Sequence, residues 1–470
     1  MATWEKIDPH LKLERLQVRN FRNIKNLDIT IPENKKIICL VGPNGGSKSA
    51  LLSLVIHTLR ELTRETVPDL SKELSSSSSS ISRIFSTSEI GTAGEGYVFT
   101  TRWKSIAGIH QYKLLVAIPT FRHNDFISKL REDFDAPDYY DDWLSREWEN
   151  RPTANHDPVA KSVFLFRPSG RFETPFYEEV NQEISFGPRI ATNWEGRRLY
   201  PVKSTSSLAE LESIILDLFL DQYLGHKSAG LAINKLLETM NSFRNSVEEK
   251  LQIPPGPFRR VRLGSIEALS LLSAGELDIF VTVGNIISQQ IYLSNKFDPT
   301  GDNEVMPSGW VFIDEVDAHL HPQWQQQVLP TFANLFPNIH FMITTHSPFV
   351  LRSLPKEESL VIRLPDGEVF DTDFSAWPID DILAVVFNVP SHWSAEIEEQ
   401  LKLLQNQLLD PSQTEPAIEL YFKLVKRSSR LRAACDRIVA LYGSPAIRDR
   451  ITQINLNIEN HIDAENQVEA

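Results

Sequence analysis

A glycine-rich segment with a lysine and two serines, GPNGGSKS, occupies residues 42–49. It follows an apolar run at 37–41 that predicts a buried strand, and apolar residues at helical spacing over 50–64 predict a helix after it. A glycine loop between strand and helix lets backbone N–H groups converge on phosphate oxygens. We therefore predict an ATP phosphate site, in which Lys48 reaches the β- and γ-phosphates and Ser49 binds Mg²⁺. The residues assigned to ATP are Gly42, Asn44, Gly45, Gly46, Ser47, Lys48 and Ser49.

One position of this loop departs from the usual phosphate-loop pattern, which has a glycine immediately before the lysine. This chain has Ser47 there. A Cβ atom restricts the backbone conformations that glycine would allow, so it crowds the loop or forces it to adjust. We predict that ATP binding survives this change and that hydrolysis is slow.

Two apolar segments further along the chain end in residues suited to phosphate chemistry. The segment 311–314 ends in Asp314 and is followed by Glu315, and the segment 339–345 is followed by His346. We expect Asp314 to support Mg²⁺, Glu315 to act as the general base and His346 to bind the γ-phosphate. Because such residues are common after strands, these roles depend on the phosphate loop upstream.

A further motif, LSAGE at residues 272–276, lies near the start of a helix predicted over 266–293. Ser273 and Glu276 fit a capping box, in which each side chain bonds to the backbone near the other. The alternative is functional. In that interpretation Ser273 and the backbone of Gly275 bind the γ-phosphate of a nucleotide held by another subunit.

Taken in this order, the motifs resemble those of ABC-type ATPases, in the branch of RecF, Rad50, SMC and OLD-like proteins. The segment NFRNI at 20–24 resembles one near the start of that branch, and residues 312–325 and 344–351 resemble its Asp-Glu and histidine regions. The resemblance covers about 1–119 and 263–352. It implies an α/β fold, namely a split ABC-type P-loop ATPase head with a mixed sheet, a mainly helical insertion and a helical C-terminal tail.

The resemblance also implies a composite site. In such ATPases two heads bind face to face, and each ATP lies between one phosphate loop and the LSAGE-type motif of the partner. The motif residues acting in trans would be Ser273, Gly275 and Glu276, and the loop that crosses between subunits would contain Asp317, Ala318 and His319. A monomer would then hydrolyse ATP poorly. Gln111 is the candidate for the glutamine that usually completes the metal site.

The spacing of the motifs predicts how the chain is divided. The segment between Lys48 and Ser273 is long and lacks sustained heptads, so we predict a folded insertion rather than an SMC-type coiled coil. The predicted parts are an N-terminal lobe of the head at 1–119, a mainly helical insertion at 120–262, a C-terminal lobe at 263–362 and a helical tail at 363–470.

The tail bears on whether the chain carries a nuclease of its own, as OLD-type proteins do. Asp371 and Asp373 could form a metal pair, but no apolar strand of the tail ends in a partner glutamate. We therefore expect no built-in nuclease. Residues 377–390 and a charged helical pair at 394–433 resemble the end of the ATPase subunit of Septu-type antiphage systems.

The first resemblance implies a homodimer or a higher homo-oligomer formed through the ATPase heads. The second implies a prokaryotic antiviral ATPase that assembles with or regulates a separate HNH-type nuclease. Two alternatives stay open. One is a DNA-repair or maintenance ATPase of the RecF/Rad50 kind, and the other is a near-inactive scaffold in which ATP only holds the subunits together.

Composition limits the partners. The chain has 48 Lys and Arg against 62 Asp and Glu, and its net charge of −14 argues against a general nucleic-acid clamp. Small basic clusters at 259–262 and 423–432 could contact DNA or RNA, although a solvated helix face is the favoured explanation. The acidic and aromatic stretch 132–143 suits docking to a basic protein, or is an acidic loop.

Two further features bear on the compartment. The chain has two cysteines, which cannot form a disulfide framework. No uncharged apolar run reaches the roughly 18 residues needed to span a bilayer. We therefore predict a cytoplasmic protein without a membrane segment.

Overall fold

The computed structural model describes residues 11–66, 96–105, 108–117, 125–134, 142–148, 158–170, 273–297, 307–389 and 393–454, together with 218, 222, 230, 232–236 and 238. The chain divides into two compact units, Met1–Asn388 and Val389–Ala470.

The strands are, in chain order, β1 (Leu11–Phe21), β2 (Ile24–Thr30), β3 (Ile37–Val41), β4 (Gly96–Ser105), β5 (Gly108–Ala117), β6 (Asp142–Trp148), β7 (Val163–Arg167), β8 (Gly309–Ile313), β9 (Ile339–Thr344), β10 (Ser359–Arg363) and β11 (Glu368–Phe370). The helices are α1 (Lys48–Thr66), α2 (Asp125–Phe134), α3 (Ala274–Phe297), α4 (Pro322–Gln325), α5 (Val328–Leu335), α6 (Pro348–Ser353), α7 (Ile379–Val385), α8 (Ala395–Leu409), α9 (Thr414–Val425) and α10 (Ser429–Tyr442). Residues 445–454 and the described positions between 218 and 238 are also helical.

Two sheets form the first unit. The first sheet has the order β2-β1-β4-β5-β6, and its neighbouring strands are antiparallel. The second sheet has the order β11-β10-β3-β9-β8-β7; β10 to β7 run parallel, and β11 pairs antiparallel with β10. The predicted α/β class with a mixed sheet is therefore confirmed.

The second sheet is buried on both faces, which explains why its strands are continuous apolar runs. On one face, Leu40 and Phe312 join α1 and the first sheet in a shared core. On the other face, Val41 and Ile313 pack in a core with residues of α3, α5 and α6. Alternate residues of each strand thus serve opposite cores, and the strand ends are held in a fixed register.

Helix α3 is attached to β7, the end strand of the second sheet among the described strands. The Gln289 amide accepts a hydrogen bond from the backbone N–H of Phe164 (3.1 Å) and donates one to its carbonyl (3.0 Å). Nearer its start, the same helix places Asp278 against the guanidinium of Arg167 in an ion pair. The Arg167 side chain is 0% exposed and that of Asp278 is 8% exposed.

The structure differs from the predicted boundaries in three places. Residues 363–388, assigned to the tail, belong to the first unit, because Phe374 and Ile382 are buried in its core. The segment 120–262, expected to be mainly helical, contributes β6 and β7 to the two sheets, although most of it lies outside the described residues. The helix predicted over 266–293 begins at Ala274 and extends to Phe297.

The second unit contains α8, α9 and α10, and its own core includes Leu404, Leu424 and Cys435. This agrees with the helical tail expected from the sequence.

The basic cluster at 259–262 lies outside the described residues. In the 423–432 cluster, Arg427 pairs with Glu396 at 3.1 Å, whereas other members are exposed, namely Lys423, Lys426 and Arg432. Among the helices that the structure describes, none is long and apolar enough to cross a membrane.

Candidate functional site

The candidate site lies where three parallel strands end. The phosphate loop (residues 42–49) follows β3, Asp314 and Glu315 follow β8, and Thr345 and His346 follow β9. Leu40 lies opposite Thr344, and Ile313 lies opposite Ile343, so the three ends share one edge of the sheet. This carboxyl edge of a parallel sheet is where α/β proteins bind ligands.

The phosphate loop is held by its own lysine. Lys48 Nζ donates hydrogen bonds to the carbonyls of Gly42 (3.0 Å) and Pro43 (2.9 Å), and the N–H of Gly46 also bonds to the Pro43 carbonyl at 3.0 Å. Burial lowers the pKa of Lys48, while the charges of Asp314, Glu315 and Asp317 oppose that shift. At Gly42, with φ +139°, a Cβ atom would lie 2.1 Å from the carbonyl oxygen of Leu364, so only glycine fits.

Ser47, the residue in place of the usual glycine, has φ +68° and is buried. This left-handed conformation suits glycine and costs a residue with a Cβ atom about 1–2 kcal/mol. The chain therefore keeps the glycine-type backbone at this position despite the side chain. Asn23, in the turn between β1 and β2, contacts the loop here. Its side-chain amide donates to the Gly45 carbonyl at 2.6 Å, and its backbone N–H donates to Ser47 Oγ at 3.4 Å.

Asp314, which follows β8, contacts both the phosphate loop and β9. Its Oδ1 accepts hydrogen bonds from Ser49 Oγ (2.8 Å) and from Thr344 Oγ1 (2.7 Å). Thr344 Oγ1 in turn accepts the backbone N–H of Glu315 at 2.7 Å. A hydroxyl and a carboxylate oxygen brought together in this way are hard oxygen ligands of the kind that Mg²⁺ prefers. The two residues predicted to bind Mg²⁺ are thus in direct contact.

Glu315 and His346 flank this contact. Glu315 has φ +51°, a strained conformation of the kind often found at functional sites, and its side chain is partly exposed. Burial and the charge of Lys48 lower the pKa of His346, and the nearby carboxylates of Asp317, Glu315 and Asp314 oppose this shift. A lowered pKa favours the neutral imidazole, which can still donate one hydrogen bond to a phosphate oxygen.

Asp317 ties the predicted subunit-crossing loop to the end of β9. Its Oδ1 accepts hydrogen bonds from Thr345 Oγ1 at 2.5 Å and from the backbone N–H of His346 at 3.3 Å. Gln325 supports the same loop, because its amide donates to the carbonyls of Asp317 (3.3 Å) and Leu320 (2.9 Å) and accepts from Ser347 Oγ at 2.6 Å. The position of His346 is therefore coupled to the loop by side-chain hydrogen bonds.

The LSAGE motif forms the predicted capping box at the start of α3. Glu276 Oε2 accepts hydrogen bonds from the N–H and the hydroxyl of Ser273, both at 2.9 Å, and Ser273 Oγ accepts the N–H of Glu276 at 3.3 Å. Ser273 and Ala274 are exposed, whereas Gly275 is buried. A Cβ atom at Gly275 would lie 2.6 Å from the His319 carbonyl oxygen. The motif thus meets the site through the loop that holds Asp317 and His319.

The contact between Gly275 and His319 gives a testable prediction. We expect Gly275→Ala to destabilise the first unit by about 1–3 kcal/mol, because the added methyl group collides with a backbone carbonyl that cannot move away alone. The midpoint of urea unfolding should fall accordingly. The neighbouring exposed change Ala274→Ser serves as the control and should leave the midpoint within about 0.5 kcal/mol. Equal midpoints for both variants would contradict the packing described.

Three contributors to the site lie in segments that the sequence singled out but were given no role there: Thr344, Gln325 and Asn23. Thr344 had a signal, because pairing β8 and β9 in register would have placed it beside Asp314. Gln325 and Asn23 act through loop conformations that no sequence pattern specifies. The proposed metal-site residue Gln111 lies within β5, opposite Arg102 and Ser145 in the first sheet, and its assignment stays a prediction.

The Asp371 and Asp373 carboxylates have structural partners. Asp371 accepts a hydrogen bond from Lys35 Nζ at 2.8 Å, and Asp373 bonds to the N–H (3.0 Å) and the hydroxyl (2.6 Å) of Ser375. In the stretch 132–143, Asp133 pairs with Arg19 at 2.5 Å, and residues 135–141 lie outside the described residues.

Comparison with known proteins finds partial matches. A family model described as "AAA domain, putative AbiEii toxin, Type IV TA system" matches residues 296–352. The chain is 30% identical over 159 residues to "Retron Vc95 probable ATPase" of Vibrio cholerae serotype O1 biovar El Tor. This match covers 28% of this chain and 30% of that protein. It is 27% identical over 184 residues to "Septu protein PtuA" of Bacillus thuringiensis, and this match covers 37% of this chain and 46% of that protein. The chain thus spans less than half the length of these curated relatives.

Among solved structures, the chain is similar to an SMC head bound to the C-terminal winged-helix domain of ScpA, with a TM-score of 0.40 and 14% identity over 76% of this chain and 96% of that one. It is also similar to the recombination mediator protein RecF, with a TM-score of 0.34 and 12% identity over 78% and 98%. The resemblance expected from the sequence, to ABC-type P-loop ATPases and to the Septu ATPase subunit, is confirmed by the curated relatives.

Proposed function

We propose that this chain is an ABC-type ATPase that binds ATP and Mg²⁺ at the edge of the second sheet and dimerises around the nucleotide. The observation that supports this most directly is the 2.8 Å hydrogen bond between Ser49 and Asp314. It joins the phosphate loop to the end of β8 across 265 positions of the chain, which supports a shared metal site for Ser49 and Asp314.

The proposed chemistry is attack of water on the γ-phosphorus with ADP as the leaving group. Glu315 takes a proton from the water as the water oxygen bonds to the γ-phosphorus. The bond between the γ-phosphorus and the oxygen that bridges it to the β-phosphate breaks. Lys48 and the loop N–H groups bind the phosphate oxygens, and His346 donates a hydrogen bond to the γ-phosphate. Ser49 and Asp314 would hold Mg²⁺, which neutralises charge on the phosphates when bound. Slow hydrolysis is proposed from the sequence alone, since the backbone at Ser47 keeps the conformation that glycine would adopt.

Dimerisation is supported by the exposure of the capping-box residue Ser273, which the structure leaves at the surface at the start of α3. Its hydroxyl needs only to exchange the carboxylate of Glu276 for a γ-phosphate oxygen of the partner's nucleotide. The same helix start supplies backbone N–H groups that favour an anion. Each site would then be completed by Ser273, Gly275 and Glu276 of the other copy.

We propose further that the ATPase serves antiviral defence together with a separate HNH-type nuclease. Similarity to a retron ATPase and to a Septu protein supports this role over general DNA repair, although the matched segments cover only part of each relative. Co-expression with a nuclease encoded beside the gene, followed by phage plating, tests it. Turnover stimulated by DNA ends, without a nuclease partner or protection from phage, would favour the repair alternative.

Mass photometry tests the composite ATP site. With ATP and Mg²⁺, Glu315→Gln should accumulate as a dimer, because this change preserves binding while removing the base. Lys48→Ala, which loses the phosphate contact, and Ser273→Arg, which blocks the partner's site, should both stay at the mass seen without nucleotide. If Glu315→Gln has the same mass with and without ATP, the composite site is wrong.

A further inference from the structure

We infer that Asn23 is a positioning residue for the phosphate loop, which it holds in the glycine-type conformation that Ser47 would otherwise resist. The inference rests on the proposed nucleotide site. It concerns the turn between β1 and β2, a part of the fold outside the motifs that contact phosphate.

Two hydrogen bonds join this turn to the loop from different sides. The Asn23 side-chain amide donates to the carbonyl of Gly45 at 2.6 Å, and the Asn23 backbone N–H donates to Ser47 Oγ at 3.4 Å. The peptide between Gly45 and Gly46 has its other side fixed as well, since the Gly46 N–H bonds to Pro43 at 3.0 Å. Asn23 therefore fixes the orientation of that peptide at the centre of the loop.

Backbone strain lies on both sides of the contact. Arg22, beside Asn23 in the turn, has φ +49°, and Ser47 in the loop has φ +68°. Such conformations persist only where surrounding contacts impose them. The turn itself is anchored, because the buried side chain of Asn20 donates to the Gly96 carbonyl on β4. The first sheet thus provides a fixed base from which Asn23 reaches the loop.

The Ser47 side chain has a specific use in this arrangement. A glycine at position 47 would reach φ +68° without strain but would offer no acceptor to the Asn23 N–H. The serine hydroxyl supplies that acceptor, so the residue that strains the loop also ties it to the turn. Because the two bonds hold the same turn, either one alone should keep much of the loop in place.

Nucleotide affinity measures this role. We expect Asn23→Ala to weaken the binding of a fluorescent ATP analogue by about fivefold to tenfold, as loss of one hydrogen bond predicts. Binding of the ADP analogue should weaken equally, because the loop serves both nucleotides. Ser47→Ala, which removes the hydroxyl and keeps the Cβ atom, should have a smaller effect. The double variant should lose more than the product of the two single effects.

Asn26→Ala, at an exposed asparagine on β2, is the matched control and should bind like the wild type. The melting temperature without nucleotide should be unchanged in all these variants. Wild-type affinity in Asn23→Ala, or a loss that follows a lowered melting temperature, would overturn the inference while leaving the nucleotide site intact. If the wild type itself binds neither nucleotide, the proposed function and this inference both fail.

Discussion

Replacing Lys48 by alanine is expected to weaken ATP binding by at least about 100-fold. Lys48 Nζ is positioned at the loop carbonyls of Gly42 and Pro43, and the side chain is buried, so in the proposed site its charge would act on phosphates with little screening by water. Hydrogen bonds to charged groups contribute about 1.5–3 kcal/mol each, and contacts to two phosphates account for the expected factor. Equilibrium binding of a fluorescent ATP analogue measures it.

Lys426→Ala is the control for this experiment, because Lys426 is exposed in the second unit, whereas the phosphate loop belongs to the first. It should bind ATP like the wild type. Melting without nucleotide shows whether Lys48→Ala is still folded. A folded Lys48→Ala protein with an affinity within tenfold of the wild type would mean that the loop does not bind phosphate as proposed.

The buried ion pair between Arg167 and Asp278 leads to the second large effect. Arg167→Met should destabilise the first unit by about 3–5 kcal/mol, because it removes the guanidinium that pairs with the buried Asp278 carboxylate. The double variant Arg167→Met/Asp278→Leu should recover most of this loss, since two apolar residues of similar volume can replace a buried pair. Urea unfolding of the three proteins gives the comparison.

An exposed pair provides the control for the ion-pair experiment. Arg15 and Asp28 pair at 2.7 Å with side chains that are 48% and 42% exposed, so Arg15→Met should cost less than about 1 kcal/mol. If Arg167→Met lowers the free energy of unfolding by no more than Arg15→Met does, burial does not make the Arg167 pair more stabilising than the exposed pair. If the double variant is as unstable as Arg167→Met, the role of Asp278 is not electrostatic.

The strands that form the site were largely predictable. Those at 37–41, 311–314 and 339–345 are buried on both faces, so their apolar runs are unambiguous, and the observed strands match them within a residue or two. The start of α3 was not predictable from periodicity, because apolar residues continue upstream of Ser273. Its capping box marked the true start, and that local signal outweighed the longer pattern.

The candidate site was predictable where a residue acts through its own side chain within a sequence motif. Ser49 and Asp314 were assigned to one metal site, and they are in hydrogen-bond contact. Residues that act by bracing others were missed. Gln325 lies in a four-residue helix, and Asn23 lies in a two-residue turn. Their roles depend on loop conformations, which arise from tertiary contacts and not from the spacing of residues in the sequence.

The attachment of α3 to β7 has a consequence for how copies of this chain can meet. A strand at the end of a sheet offers its backbone to any other extended segment, which makes it a site of uncontrolled association. Gln289 occupies both backbone groups of Phe164, so this part of the sheet cannot be extended by a strand from another molecule. Self-association through sheet growth is thereby disfavoured at Phe164 of β7, so it would not compete with the nucleotide-dependent contacts proposed between heads.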